Sequence, residues 1–431
     1  LYSVEFRSDD WSGDVIAQSI ETSDGSVSGL EWSAETRLAN RNLDGRSLLT
    51  FDGSDGLTLS AENLSDAQET ALNHDVDGNN DGLAAQRVAW MYGKSAADLR
   101  SRQGVEQRRL MGDIVNSTPL YVGQVNRGYS LLPSEFSPGT YGAFRNGIQD
   151  RDELLLVGAN DGMLHAFDAS TGDEVFAYVP SEVLEPVPGE SFSAVSQLAE
   201  PDYEHRYTVD GTPAANDVLI SGNWRTVMVG TMGLGGRTVF AVDITDPDNI
   251  DATNVLWEFT DPDLGAGVTD PQIVPMGDGS FAAVFGNGYN SDNHKAVLFI
   301  VDIEDGSLIA KVDTGVGRSD EPNGLGPVVT SDWPQNSLVT QFIYAGDLQG
   351  NLWRFDVTGN NSNQWEDGEL ALFKAEDSDG DPQPITVQPR VALNPERAGE
   401  LVITFGTGSF FRNQDNSLSD PQVQTLYGVR D

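Results

Sequence analysis

Asp75, Asp77, Asn79 and Asp81 stand two apart in the string DVDGNNDG, the spacing in this chain that most resembles a metal loop. Alternate oxygen-bearing side chains of a tight loop turn toward one point, which suits a hard cation such as calcium. Two departures count against it: Asn80 stands where the sharp turn needs Gly, and Gln86 where a closing bidentate Glu belongs. A hydrogen-bonded surface turn explains the same string, and both readings stay open. The second chemical concentration is basic: Arg100, Arg102, Arg108 and Arg109 cluster in an otherwise acidic chain. Guanidinium forks match carboxylates and phosphates, so the cluster either pairs with the protein's own acids or docks an acidic partner.

Catalytic constellations are scarce. His74, His165, His205 and His294 are scattered, no GxSxG elbow marks a serine nucleophile, and the run GTMGLGG at 230–236 lacks the Lys-Ser/Thr and helix of a phosphate loop. His165 lies in an alternating strand and reads as a packed, satisfied residue. With 67 acids, opposed carboxylates are certain to occur, but the sequence does not place them. Trp353 alternates with Leu352 and Phe355 as core does, whereas Trp333 and Trp365 lie in polar stretches and are expected as exposed contact residues.

The 67 acids face 25 Lys and Arg, a formal charge of -42, which repels nucleic acid and anionic membrane. The acids spread along the whole chain, favouring adaptation to salt over one acidic docking face. Cysteine is absent, so thiolate and disulfide chemistry are excluded. No apolar run of about 18 residues crosses a bilayer. The chain begins at Leu1 without Met and is read as an excised fragment or mature product, in which a missing export signal says nothing about export.

The elements that must position these residues are strands. Residues 154–180, LLLVGANDGMLHAFDASTGDEVFAYVP, give an apolar run, a Gly turn, an alternating strand and an Asp opening the next turn. FIYAGDLQGNLWRFDV at 342–357 repeats that unit, and weaker copies occupy 228–244, 281–303 and 402–429. Such repetition implies sheets arranged radially, an all-β propeller. Residues 1–20 read as a hairpin with Tyr2, Val4 and Phe6 on one face. Residues 82–109 read as the only helical territory, two short helices broken near Gly93, within a polar and helical insertion at 66–111.

Several longer strings stand in order: DDWSGDVIAQ at 9–18, GDIVNSTPLYVG at 112–123, VGANDGMLHAFDASTGDEVFAYVPSEV from 157, VFGNGYNS from 284, DTGVG from 313, PNGL from 322, YAGDLQGNLWRFDV from 344 and PQPIT from 382. They resemble the C-terminal propeller domain of the type IV pilus-associated adhesins and biogenesis factors, the family that includes the PilY and PilC proteins. The resemblance implies one domain over 1–431, a modified seven-bladed β-propeller related to the quinoprotein alcohol dehydrogenase class, with loop and short helical insertions. It implies a non-enzymatic role in pilus assembly against retraction, twitching motility and attachment. The implied partners are pilus components such as minor pilins, and a host or surface receptor. The implied location is exported: cell surface, outer membrane-associated or pilus tip. Inserts at 134–150, 183–208 and 331–341 are expected to present contact surfaces.

Many members carry a calcium loop, DxDxDGxxD, just before YAGDLQG. Its acidic positions fall here on Trp333, Gln335, Ser337 and Gln341, and a one-residue slip recovers only Asp332. Calcium takes about six to eight oxygens, so no strong site and no cofactor is expected there. Two rivals remain, a secreted propeller adhesin or scaffold outside the pilus system and a quinoprotein-like dehydrogenase. The latter class carries an adjacent cysteine pair that this chain lacks.

Overall fold

The structure, a computed structural model, describes residues 1–104, 107–411, 415 and 421–431. Residues 105–106 of the expected helical territory, and 412–414 and 416–420 of the polar loop in the last repeat, lie outside the described residues.

The recurring unit folds as its pattern predicts. Strands Leu154–Ala159 and Met163–Asp168 pair in antiparallel register around the turn at 160–162, and Phe342–Asp347 pairs with Asn351–Asp356 around 348–350. Both turns close on a glycine with positive φ, Gly162 at +90° and Gly350 at +81°, where a side chain would be strained. A Cβ on Gly350 would also fall 2.5 Å from the Ala375 carbonyl oxygen. The Asp that ends each second strand caps the turn after it. Asp168 accepts from the Thr171 amide at 2.7 Å, Asp243 from Thr245 at 2.9 Å, Asp302 from Glu304 at 2.8 Å and Asp356 from Thr358 at 3.0 Å.

Six antiparallel or mixed sheets result among the described residues. Three have four strands in sequential order: Ala214–Ile220, Asn223–Thr231, Val239–Asp243 and Val255–Phe259; Gln272–Pro275, Phe281–Gly286, Val297–Asp302 and Leu308–Asp313; Leu325–Ser331, Phe342–Asp347, Asn351–Asp356 and Glu369–Lys374. Two have three strands, Tyr2–Arg7 with Ser12–Ile20 and Val27–Ser33, and Arg390–Leu393 with Leu401–Gly406 and Leu426–Arg430. The sixth sheet is built on the first organising hairpin, flanked by Leu120–Val122 and Glu174–Tyr178. It gains Leu48–Phe51 as a parallel neighbour of Glu174–Tyr178, with Gly56–Thr58 outside it.

The chain forms two compact units. The first comprises Leu1–Val125, Arg145–Ala215 and Thr226–Phe259, and the second Asn126–Phe144, Asn216–Arg225 and Thr260–Asp431. In the first, one core gathers Leu154, Leu156, Leu164, Phe176, Tyr178 and Phe240, and another gathers Val15, Trp32, Leu155, Val157 and Phe167. Strand Leu154–Ala159 is buried on both faces, so it reads as a continuous apolar run rather than an alternation. In the second unit Val284, Leu298, Ile300, Ile343 and Phe355 form one core, and Tyr344, Leu352, Ile385 and Ile403 another. Phe136, Tyr141, Trp224 and Phe281 add a cluster of edge and tilted aromatic contacts there.

Helices are commoner than the sequence suggested. Ala34–Asn40, Asp66–Leu72, Pro138–Gly147, Ser181–Leu184 and Ala194–Leu198 join the expected Ala84–Met91. Short capped turns escape periodicity but not capping chemistry: Ser65 and Gln68 form a reciprocal capping box, with bonds of 3.2 and 3.0 Å. Among the described residues no second helix follows Gly93: 94–104 run as turns and irregular chain, with Arg102 stacked on Trp90. Phe6, placed by alternation on the packed face, is 55% exposed, while Tyr2 and Val4 pack as expected.

Candidate functional site

Several repeats bury polar side chains at the hairpin, among them Asp161, Asn287 and Asp347, and two such clusters form the candidate sites. In the first unit, Asp161 sits in the turn and His165 four residues later on the same hairpin. His165 Nε2 lies 3.2 Å from Asp161 Oδ2 and its Nδ1 2.9 Å from Glu174 Oε1. Arg46, from the chain entering Leu48–Phe51, meets Glu174 through two bonds of 2.8 Å and reaches the Met91 carbonyl at 3.0 Å. All four side chains are almost wholly buried. Burial works against the imidazolium, but the two carboxylates outweigh it and push the His165 pKa up to about 9. Arg46 and the imidazolium together hold Glu174 far below the usual carboxylate range against its own desolvation, and His165 lowers Asp161 in the same way.

In the second unit Asp347 closes the organising hairpin. Its Oδ1 accepts the amides of Gln349 at 2.9 Å and Asn351 at 2.8 Å. Its Oδ2 accepts Asn323 Nδ2 at 2.9 Å, Asn351 Nδ2 at 2.8 Å and Trp353 Nε1 at 2.9 Å. Asn287 does comparable work in the preceding repeat, its Oδ1 taking the amides of Val297 at 3.0 Å and Leu325 at 2.9 Å. These groups fix loops. Among the described residues no serine hydroxyl is hydrogen-bonded to a histidine, and no three His, Cys, Asp or Glu side chains converge as metal ligands. Sequence reasoning passed over Arg46 and Glu174 entirely; the available signal was a charged residue at the rim of an apolar run.

Within the metal-like string Asp75 and Asn79 stay together, Asn79 Nδ2 donating to Asp75 Oδ1 at 3.3 Å and Oδ2 at 3.2 Å. Asp75 spends Oδ1 on the amides of Asp77 at 3.0 Å and Asn79 at 2.8 Å, and Asp81 forms a two-bond pair with buried Arg87 at 2.8 and 2.7 Å. The string is therefore a hydrogen-bonded turn with one acid already neutralised. The basic cluster is not an exposed patch. Arg102 is 7% exposed and stacks on Trp90 at 3.8 Å, Arg100 lies over Tyr203 at 4.0 Å, Arg108 binds the Ala39 and Arg41 carbonyls, and Arg109 binds Glu35 at 2.5 Å.

Trp365 is the clearest correction. Expected as an exposed contact, it is 1% exposed and belongs to the core of the second unit, its indole donating to the Thr358 carbonyl at 3.3 Å. The turn Ser362–Asp367 carries it inward, so a polar neighbourhood in sequence misled. Trp333 is half-buried against the Tyr344 cluster. Trp365→Ala is expected to cost about 3–5 kcal/mol in urea unfolding and Trp333→Ala about 1 kcal/mol, leaving only Trp333 usable as a surface probe. Equal costs would overturn that assignment.

A family model described as the PilY1 beta-propeller domain matches residues 111–431, about three quarters of the chain. The chain belongs to this family. It is 36% identical over 465 residues to the type IV pilus biogenesis factor PilY1 of Pseudomonas aeruginosa, an alignment covering 100% of this chain and 39% of that protein. A PilY1 homolog of Xylella fastidiosa is 41% identical over 345 residues, covering 74% of this chain and 22% of that protein. Among solved structures, the C-terminal domain of P. aeruginosa PilY1 superposes with a TM-score of 0.60 at 35% identity, over 72% of this chain and 64% of that one. The chain thus spans well under half the length of these curated relatives.

The residues at the position of the calcium loop that the resemblance implied before Tyr344 do not fit a metal. Trp333, Gln335, Ser337 and Gln341 supply no carboxylate. The loop is instead closed by Asp332, whose carbonyl accepts the Asn336 amide at 2.9 Å and whose Oδ2 accepts the Leu338 amide at 2.9 Å. Buried Gln341 adds bonds to the Val339 and Thr340 carbonyls. Excess chelator is expected to leave the melting temperature within about 1 °C; a fall of several degrees would show a metal that these residues do not explain.

Proposed function

We propose that this chain is the contact-making propeller of a type IV pilus biogenesis and adhesion factor. Similarity to the P. aeruginosa biogenesis factor along 100% of the chain carries the reading. In this reading residues 1–431 close into one modified seven-bladed ring of the quinoprotein-like type, with 66–111 inserted. The protein is exported and acts at the cell surface, outer membrane or pilus tip, where it binds minor pilins or a surface receptor. It works by presenting rigid surfaces: the repeats carry buried hydrogen-bonded turns, and the deep polar clusters are enclosed where no substrate reaches them. Exposed apolar side chains at one end of the last sheet and in its adjoining loop, Phe410, Val423 and Leu426, support a protein-binding surface in the second unit.

Deletion of the gene in its native host is expected to abolish surface pili and twitching, with recovery on returning the full-length protein. Normal piliation and motility in the deletion strain would sink the pilus reading and favour a secreted scaffold. A Phe410→Ser/Leu426→Ser protein, folded but unable to restore twitching, would support a contact surface at this end of the sheet.

A further inference from the structure

We propose that the small cavity walled by Arg100, Arg102 and Arg109 in the first unit is a binding site for one compact inorganic anion of halide size. With 67 acids to 25 basic side chains, a cation in this chain has carboxylates in abundance. Lys94, Arg87 and Lys311, for example, each find one within 2.7 Å. Arg100 and Arg102 form no salt bridge among the described residues. The only acceptor of Arg102 is the Trp90 carbonyl, at a long 3.4 Å, although the side chain is more than nine-tenths buried. Arg100 Nη1 and Arg109 Nε are both buried without a hydrogen-bond acceptor.

A buried N–H without an acceptor is costly, and Arg100 and Arg109, which each carry one, line one space together with buried Arg102. Burial, helped by the neighbouring Arg100 and Arg46 charges, drives the Arg102 pKa down to about 9 against the opposing pull of Asp161. The cavity measures about 40 Å³, enough for a single ion and too small for a nucleotide or a phosphorylated side chain. Asp10 also lines it, but commits Oδ1 to the Ser12 amide at 3.1 Å and hydroxyl at 2.6 Å, and its Oδ2 stands 3.8 Å from Arg109 Nε. Glu35, the partner of Arg109, is not on the wall, so the lining keeps a net positive charge. A bound anion would tie residues 100–103 to 109–112 and to the chain at 10–12.

The 431-residue protein crystallised in sodium bromide is expected to show an anomalous peak in this cavity. Its melting temperature should be about 3 °C higher in chloride than in gluconate at equal ionic strength. Both signals should vanish in Arg100→Gln/Arg102→Met. Because Arg102 packs on Trp90, that variant can fail to fold; Arg100→Gln alone, checked by near-ultraviolet circular dichroism, should then weaken the chloride effect at least threefold. Water as the sole occupant under bromide, or identical melting in chloride and gluconate, overturns the proposal.

Discussion

Glu174→Gln is expected to destabilise the first unit by about 3–5 kcal/mol, read as a lower urea midpoint with circular dichroism as the probe. The substitution conserves shape but removes the charge that faces both Arg46 and His165, leaving a buried guanidinium without its two-bond partner. Adding Arg46→Met should recover part of the loss, because an apolar side chain carries no unpaired charge into the core. A loss under 1 kcal/mol would mean that Asp161 alone balances the cluster. The same groups set a pH profile. Folding raises the His165 pKa from 6.5 to about 9, so its stabilisation is complete below about pH 6.5 and drains away as pH rises to about 9, at ~1.4 kcal/mol per unit. Glu174 and Asp161 are depressed on folding, so their share is present above the ordinary carboxylate range and is lost as pH falls through and below it. Wild type should therefore be most stable between about pH 5 and 6.5, and Glu174→Gln should show a shallower alkaline decline.

Asp347→Ala should cost about 4 kcal/mol in the second unit. Two backbone amides and three side-chain N–H groups lose their acceptor at once. Asp347→Asn retains one acceptor oxygen and should cost about half as much. Trp353 fluorescence should shift to the red in the alanine variant, since its indole N–H bond is the one exchanged for water. Urea midpoints of all three proteins within error of one another would refute the role given to this carboxylate.

The strand-turn-strand repeat was legible before any coordinates because it rests on local rules. Side chains alternate across a strand, glycine alone enters the left-handed turn at 162 and 350 without strain, and Asp168, Asp243, Asp302 and Asp356 cap the chain that follows them. Family strings running from end to end added the functional expectation, and the missing acids at 333, 335, 337 and 341 removed the calcium loop by simple inspection. Distance in sequence hid the rest. Arg46 and Glu174 lie 128 residues apart, and no local pattern pairs them. Trp365 was misplaced because polar neighbours in sequence do not imply water in space, once a short turn rotates a ring into the core; for the arginines at 100–109 the sequence left pairing and docking open, and did not show the aromatic faces that cover Arg100 and Arg102. Sequence alone thus determined which residues turn, which alternate and which chemistry is missing, since those depend on near neighbours along the chain. Only the tertiary structure decided which charges are buried together, because desolvation and pairing depend on what the fold brings alongside.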